Sequence, residues 1–294
     1  MNGILIVDKP LGWTSFDVIA KLRGALHTRK IGHSGTLDPL ATGVLPLFVG
    51  GAVKAVDLPQ NHRKSYLATL RFGVHTPTGD LESEPDRFCP DAVARPALET
   101  ALAGLIGPGE QLPPMYSAVK VHGQPLYKAA RAGREVARQP RPVEIYALRC
   151  LGPGAGENEW QVEVTCSKGT YIRVLVEDIA ARLGTVAVMS ALRRTQSGDF
   201  TLADAHPLPE ILAASAAGTA EALLLPVDRL FAALPRLDAD SLQADRLWHG
   251  APAPTALPDG LCRVYREGEF LGLAAAAGGV LQVKKLFCER TADN

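Results

Sequence analysis

No Cys-x-x-Cys pair occurs in the chain, and no cysteine has a histidine at metal-ligand spacing. The five cysteines (Cys89, Cys150, Cys166, Cys262 and Cys288) are odd in number and widely scattered, which points to reduced structural thiols. No metal and no other cofactor is expected, and the sequence offers no Gly-rich phosphate-binding loop. Nor does any apolar run approach the length of a transmembrane helix. The opening Met1-Asn-Gly-Ile-Leu-Ile-Val-Asp8 is too short an apolar run for a signal peptide, so a cytoplasmic protein without membrane association is expected. Excess charge is missing as well. The 31 basic and 31 acidic residues cancel, which argues mildly against a nucleic-acid binder. Internal repeats are absent.

What remains is an ordinary globular composition, 47% apolar and 21% charged. At 294 residues the chain exceeds the usual single-domain size, so one large domain and one small one are expected. Charge is also segregated along the chain. Lys21, Arg23, Arg29 and Lys30 cluster without an acid. Lys120, Lys128, Arg131, Arg134, Arg138, Arg141 and Arg149 face only Glu135 and Glu144, and acids gather around Asp80 to Asp91. Such segregation can build a basic face on a neutral protein, and a solvated helix surface has the same pattern.

One stretch organises the rest, Ile31-Gly-His-Ser-Gly-Thr-Leu-Asp-Pro-Leu-Ala-Thr-Gly-Val-Leu-Pro-Leu-Phe-Val-Gly50. Gly32 and Gly35 permit a tight loop with positive φ. The closing apolar run has the length of a buried strand. Between them lies one acid, Asp38, followed by Pro39, which removes a donor and keeps Asp38 out of a helix. A carboxylate on a stiff loop is a candidate nucleophile or base, and a lone Asp-Pro also serves as a turn cap.

Along the chain, residues 3–8 read as a short strand. Thr14-Ser15 offers an N-cap to a helix running toward Leu26, and Val53 to Leu58 reads as helical. Ser65 to Gly73 reads as a strand. The segment His75 to Asp91 is a polar loop, and residues 93–106 are helical. Residues 111–142 form an inserted basic arm: an extended piece, a turn at Gly123 and a helix stopped at Gly133. Strands follow at Val143 to Leu151 and Glu159 to Cys166. Ser167 to Val176 reads as a turn into another strand, Glu177 to Leu183 as a helix, and Leu212 to Leu224 as helical. Strands joined by both hairpins and helices imply an α/β (α+β) fold with a mixed, largely antiparallel sheet flanked by helices. The region after Pro235 is β-rich. Domain limits of 1–234 and 235–294 are expected.

Four separated pieces line up: Gly32-His-Ser-Gly-Thr-Leu-Asp-Pro39; Lys64-Ser-Tyr66 with Phe72-Gly73; Pro114-Met-Tyr-Ser-Ala-Val-Lys120 with Leu126-Tyr127; and Ser167-Lys-Gly-Thr-Tyr-Ile-Arg173. In order and spacing they resemble the TruB-type tRNA pseudouridine synthases, which modify the uridine at position 55 in the T arm. The likeness runs from Gly3 to about Asp228. It departs at Gly51-Ala-Val-Lys54, where the family more often has Ala-Thr-Lys. The resemblance implies an aspartate nucleophile at Asp38, a partner arginine at Arg173, and a tyrosine at Tyr66 that stacks on the base and can move a proton. It places Tyr171 and Leu192 in the pocket lining, and His33 where the extruded base leaves a gap. Lys9, Lys21, Arg23, Lys120 and Lys128 are candidate phosphate contacts. The C-terminal segment resembles a PUA-type RNA-binding domain. tRNA is the expected partner, and a monomer is expected. Two other readings stay open: an RNA-binding or tRNA-folding module without chemistry, and an aspartate-nucleophile hydrolase. The second lacks a carboxylate placed as general acid.

Overall fold

The computed structural model describes residues 1–59, 61–117, 119–121, 124–131 and 133–288, with only the backbone for 120, 121, 125, 127, 128 and 131. Among them, one ten-stranded sheet dominates. Its main path runs His206–Pro207, Gly3–Lys9, Ala41–Val49, Ala187–Ser197, Lys64–Phe72, Glu159–Cys166, Arg141–Pro153, Gly107–Gln111. The outer pair Gly3–Lys9 with His206–Pro207 and the pair Ala41–Val49 with Ala187–Ser197 are parallel, and the other pairings on the path are antiparallel. The sheet is therefore mixed and largely antiparallel, as the sequence implies.

Strands Gly3–Lys9 and Ala41–Val49 are buried on both faces, which is why their sequences do not alternate. Leu5, Val7, Leu45 and Leu47 pack with Val18, Ile19 and Leu22 of the helix Ser15–Ala25. Ile4, Ile6, Val44 and Phe48 point the other way, into a cluster with Phe231 and Phe287. The helix starts as its sequence dictates. The Thr14 hydroxyl accepts from Asp17 N, and the Asp17 carboxylate accepts in turn from Thr14 N. Strand Lys64–Phe72, in the middle of the sheet, does alternate, burying Tyr66, Ala68, Leu70 and Phe72.

Two readings of the sequence need correction. The segment Ser167 to Val176 does not lead into a strand. The helix Ile172–Arg182 begins there, and Ile172, Leu175, Val176, Ile179 and Ala180 are buried at helical spacing. The β-branched residues suggest a strand, but the burial period over the whole segment is helical. The acidic segment after His75 is not simply a surface loop. Val74–His75 pairs with Arg87–Phe88, and Thr76 and Asp80 are fully buried. Smaller shifts occur elsewhere. Gly50–Ala55 is a 3-10 turn, and the Ala-rich region splits into the helix Leu208–Ala216 and a 3-10 turn, Ala220–Leu223.

The basic arm holds a short hairpin, Lys120–Val121 with Gln124–Pro125, and the helix Leu126–Arg131. The turn expected at Gly123 lies outside the described residues. Toward the C-terminus a five-stranded sheet forms in the order Arg236–Asp238, Gly260–Arg266, Glu269–Ala277, Val280–Leu286, Ala253–Pro254. Phe231, Phe270 and Phe287 stack between the two sheets, with ring centroids 5.6–6.3 Å apart. Gly51 makes this docking possible. A Cβ there would stand 1.9 Å from the Phe287 carbonyl oxygen.

Candidate active site

Asp38 sits in the loop between Ile31–His33 and Ala41–Val49, as its proline neighbour requires. Gly35, with φ +151, provides the backbone turn in this loop; Gly32 instead lies within the short strand. Two buried side chains hold the loop. Ser15 Oγ accepts from Leu37 N at 2.8 Å and donates to Leu37 O at 3.1 Å. Lys9 Nζ donates to the carbonyls of Trp13 at 2.5 Å, Pro10 at 2.9 Å and Pro39 at 3.4 Å.

Arg173, one residue into its helix, reaches Asp38 from the same side of the sheet, where Ile172 and Leu175 share a core with Leu37. Its Nη2 lies 3.0 Å from Asp38 Oδ2, and its Nη1 lies 3.6 Å from Asp80 Oδ2. The same guanidinium donates to Thr78 O at 2.9 Å and Tyr116 O at 2.8 Å. Arg173 and Asp80 are buried, while the Asp38 side chain is 40% exposed. Asp80 is itself held by Thr78 Oγ1 at 2.6 Å and Glu82 N at 3.0 Å. Burial pushes the Asp38 carboxyl above its ordinary range, the Arg173 cation pulls it down, and the Asp80 charge pushes it up again.

Asp38, Tyr66, Tyr171, Arg173 and Leu192 line one cavity of about 230 Å³, together with Lys64, Ser117, Thr170 and Met189. Tyr66 is buried on the central strand, where its cross-strand neighbours are Val164 and Arg194. Burial pushes its phenol up to about 12, although the nearby Arg194 cation opposes the shift. The phenol therefore stays protonated at neutral pH. Tyr171 precedes the helix, and its backbone exchanges two hydrogen bonds with the Gln111 side chain at the root of the arm. Ser117 presents a buried hydroxyl that has no partner among the described residues.

The remaining candidates lie apart from this cavity. His33 lines an adjoining cleft of about 350 Å³ with His62, Lys64 and Lys168. Its Nδ1 accepts from Gly35 N at 3.2 Å, and burial with the nearby cations Arg194 and Lys64 lowers its pKa, so the ring is neutral. Lys9 is not a surface phosphate contact. It is fully buried, because three carbonyls claim its ammonium, and its pKa falls to about 8 through desolvation, which the Asp38 charge partly offsets. Lys21 is exposed on its helix, whereas Arg23 is half-buried and donates to Ile31 O at 3.1 Å. The side chains of Lys120 and Lys128 lie outside the described residues. A larger cavity, of about 730 Å³, opens where the two sheets meet and contains Arg23, Arg29, Lys54 and Trp248, remote from Asp38 in its lining.

Sequence reading missed Ser15, Asp80, Gln111 and Arg194. Only Ser15 carried a local signal, as the residue beside a helix cap. The described residues contain no group of three or more metal-ligating side chains and no helix long and apolar enough to cross a membrane.

Residues 23–172 match the family described as TruB family pseudouridylate synthase (N terminal domain). Residues 173–232 match the tRNA pseudouridylate synthase B C-terminal domain, and residues 235–287 match Pseudouridine synthase II TruB, C-terminal. Tested against curated proteins, the chain is 43% identical over 291 residues to tRNA pseudouridine synthase B of Aromatoleum aromaticum, covering 97% of this chain and 92% of that protein. It is 44% identical over 286 residues to tRNA pseudouridine synthase B of Pseudomonas syringae pv. syringae, covering 94% and 92%. Among solved structures, a chain of a Cbf5-Nop10-Gar1 complex superposes with TM-score 0.71 at 25% identity, covering 97% of this chain and 85% of the other. An H/ACA RNP bound to a substrate RNA containing 2'-deoxyuridine shares the fold, with TM-score 0.69 at 22% identity over 98% and 86%.

Proposed function

The chain belongs to the TruB family of pseudouridine synthases, and on that premise we propose that it isomerises uridine 55 in the T loop of tRNA, with Asp38 as the nucleophile. The observation that carries this reading is the Asp38–Arg173 pair, set 3.0 Å apart at the wall of a cavity with room for one base.

The reaction breaks the N1–C1′ bond, turns the uracil and joins C5 to C1′. A proton leaves C5 and N1 gains one, so no electron enters or leaves. Such chemistry needs a nucleophile that holds the intermediate and a pocket that retains the freed base. Asp38 is the side chain suited to the first task, because it is ionisable, half-exposed and fixed from both sides. The Arg173 cation keeps it charged when an entering base removes water. Tyr66 enters as a neutral phenol, suited to stacking on the base. The base must first leave the T-loop stack, and its extrusion is least costly where unpaired. Residues 1–234 carry this chemistry in our reading, and 235–294 form a PUA-like unit that holds more of the RNA.

The reading is tested by incubating the protein with an unmodified T-arm stem-loop and mapping pseudouridine. Conversion confined to the T-loop uridine is the expected result. Conversion elsewhere in full tRNA but not here would overturn the assignment of position 55. A binding module without chemistry is disfavoured, because it has no use for a cavity-facing carboxylate with its own buried cation. No conversion of any uridine in tRNA would support it.

A further inference from the structure

Lys64 separates the cavity of Asp38 from the cleft of His33 and lines both. It opens the strand that carries Tyr66, yet the ion-pair array around Arg173 does not involve it. Among the described residues its ammonium has no hydrogen-bond or ion-pair partner, although the side chain is only partly exposed.

A second cation meets it. Arg194 is fully buried, its Nε donates to Val44 O at 2.7 Å and its Nη2 to Gly35 O at 3.1 Å. Its Nη1 is buried with no partner among the described residues. Both free nitrogens converge on Gly35. A Cβ at that position would lie 2.9 Å from Lys64 Nζ and 3.5 Å from Arg194 Nη1. Only because residue 35 has no side chain can the two cations approach its Cα this closely, and no carboxylate separates them. Desolvation and then the Arg194 charge lower the Lys64 pKa to about 8. Two desolvated like charges oppose each other unless an anion arrives to pair with them.

We propose that Lys64, backed by the charge of the buried Arg194, forms an anion site beside Gly35 that takes one backbone phosphate flanking the extruded nucleotide of the RNA. The base then lies in the Asp38 cavity while its phosphate stays on the cleft side, with Lys64 at the division. The inference rests on the base occupying that cavity. A phosphate fits better than a uracil oxygen, because Lys168 adds a further cation to the cleft and none to the cavity. The acids of the cleft are Asp57 and Asp199, and Asp199 is already bonded to Asn61 at 2.8 Å.

The test is equilibrium binding of wild type, Lys64→Met and Lys64→Arg to a T-arm stem-loop and to full tRNA, with neutral methylphosphonate linkages placed singly around the target uridine. Lys64→Met should weaken binding about tenfold and reduce the salt slope by about one unit. Lys64→Arg should retain most of the affinity. One methylphosphonate next to the target should weaken wild type and add nothing to the loss in Lys64→Met. Melting temperature checks the fold, and Lys64→Gln decides the matter if the Met variant does not fold. Unchanged affinity and slope, or equal sensitivity of both proteins to every methylphosphonate, overturns the phosphate site. So does an unchanged affinity with a reduced single-turnover rate, which would place the Lys64 charge on the uracil instead. If wild type binds tRNA but not the stem-loop, the T-arm reading fails separately, and the tRNA series still decides the role of Lys64.

Discussion

Asp38 and Asp80 share one guanidinium, at 3.0 Å from Arg173 Nη2 and 3.6 Å from Arg173 Nη1. Asp80 is buried and Asp38 opens to the cavity, so the buried carboxylate holds the arginine while the exposed one remains available to substrate. Removing one partner of a buried pair leaves an uncompensated charge and costs about 3–5 kcal/mol. Arg173→Met is therefore expected to lower the melting temperature as well as the rate. A loss of rate with unchanged melting temperature would show that the array contributes nothing to the fold.

Asp38→Asn should abolish isomerisation while RNA affinity changes little, because the amide keeps the shape and loses the nucleophile. Single-turnover conversion and equilibrium binding measure the two separately. A rate within tenfold of wild type would remove Asp38 from the chemistry.

The pH dependence follows from the raised pKa of Asp38. In the proposed reaction its ionised form is the active one, so the single-turnover rate should rise with pH, with a midpoint above that of an ordinary aspartate. The Asp80 charge contributes to that elevation. Asp80→Asn should move the midpoint toward lower pH, and a midpoint that stays or moves upward would contradict the coupling.

Ser15→Ala strips the Leu37 N–H of its side-chain partner in a fully buried setting. A stability loss of about 1–3 kcal/mol is expected from the unpaired group. Because the same bond holds the loop before Asp38, the rate at saturating RNA should fall more than the affinity. Equal stability of the two proteins by denaturant titration would show that the clamp is dispensable.

Gly51→Ala places a methyl against the Phe287 carbonyl, at 1.9 Å before relaxation. Overpacking of this kind costs about 1–3 kcal/mol. The C-terminal sheet should become more susceptible to limited proteolysis, with little change at Asp38. Wild-type resistance to cleavage would mean that the junction relaxes without cost.

Local patterns in the sequence were enough to determine several elements. The Thr14–Asp17 capping box, the alternation from Tyr66 to Phe72 and the proline after Asp38 each act within a few residues, so the chain alone specifies them. The family resemblance of the ordered motifs implied Asp38, Tyr66 and Arg173 as site residues, and the structure brings them to one cavity. Tertiary structure decided which charges are buried and what they meet. Lys9 reads as a surface cation and is held by three carbonyls, while Asp80 reads as part of a solvated acidic loop and lies behind Arg173. Arg194 gives no local sign that it is enclosed. The strand expected through Ile172 became a helix because its apolar residues meet the sheet at helical spacing. Desolvation depends on every element packed around a group, most of them distant in the chain, and no short window of sequence contains that information.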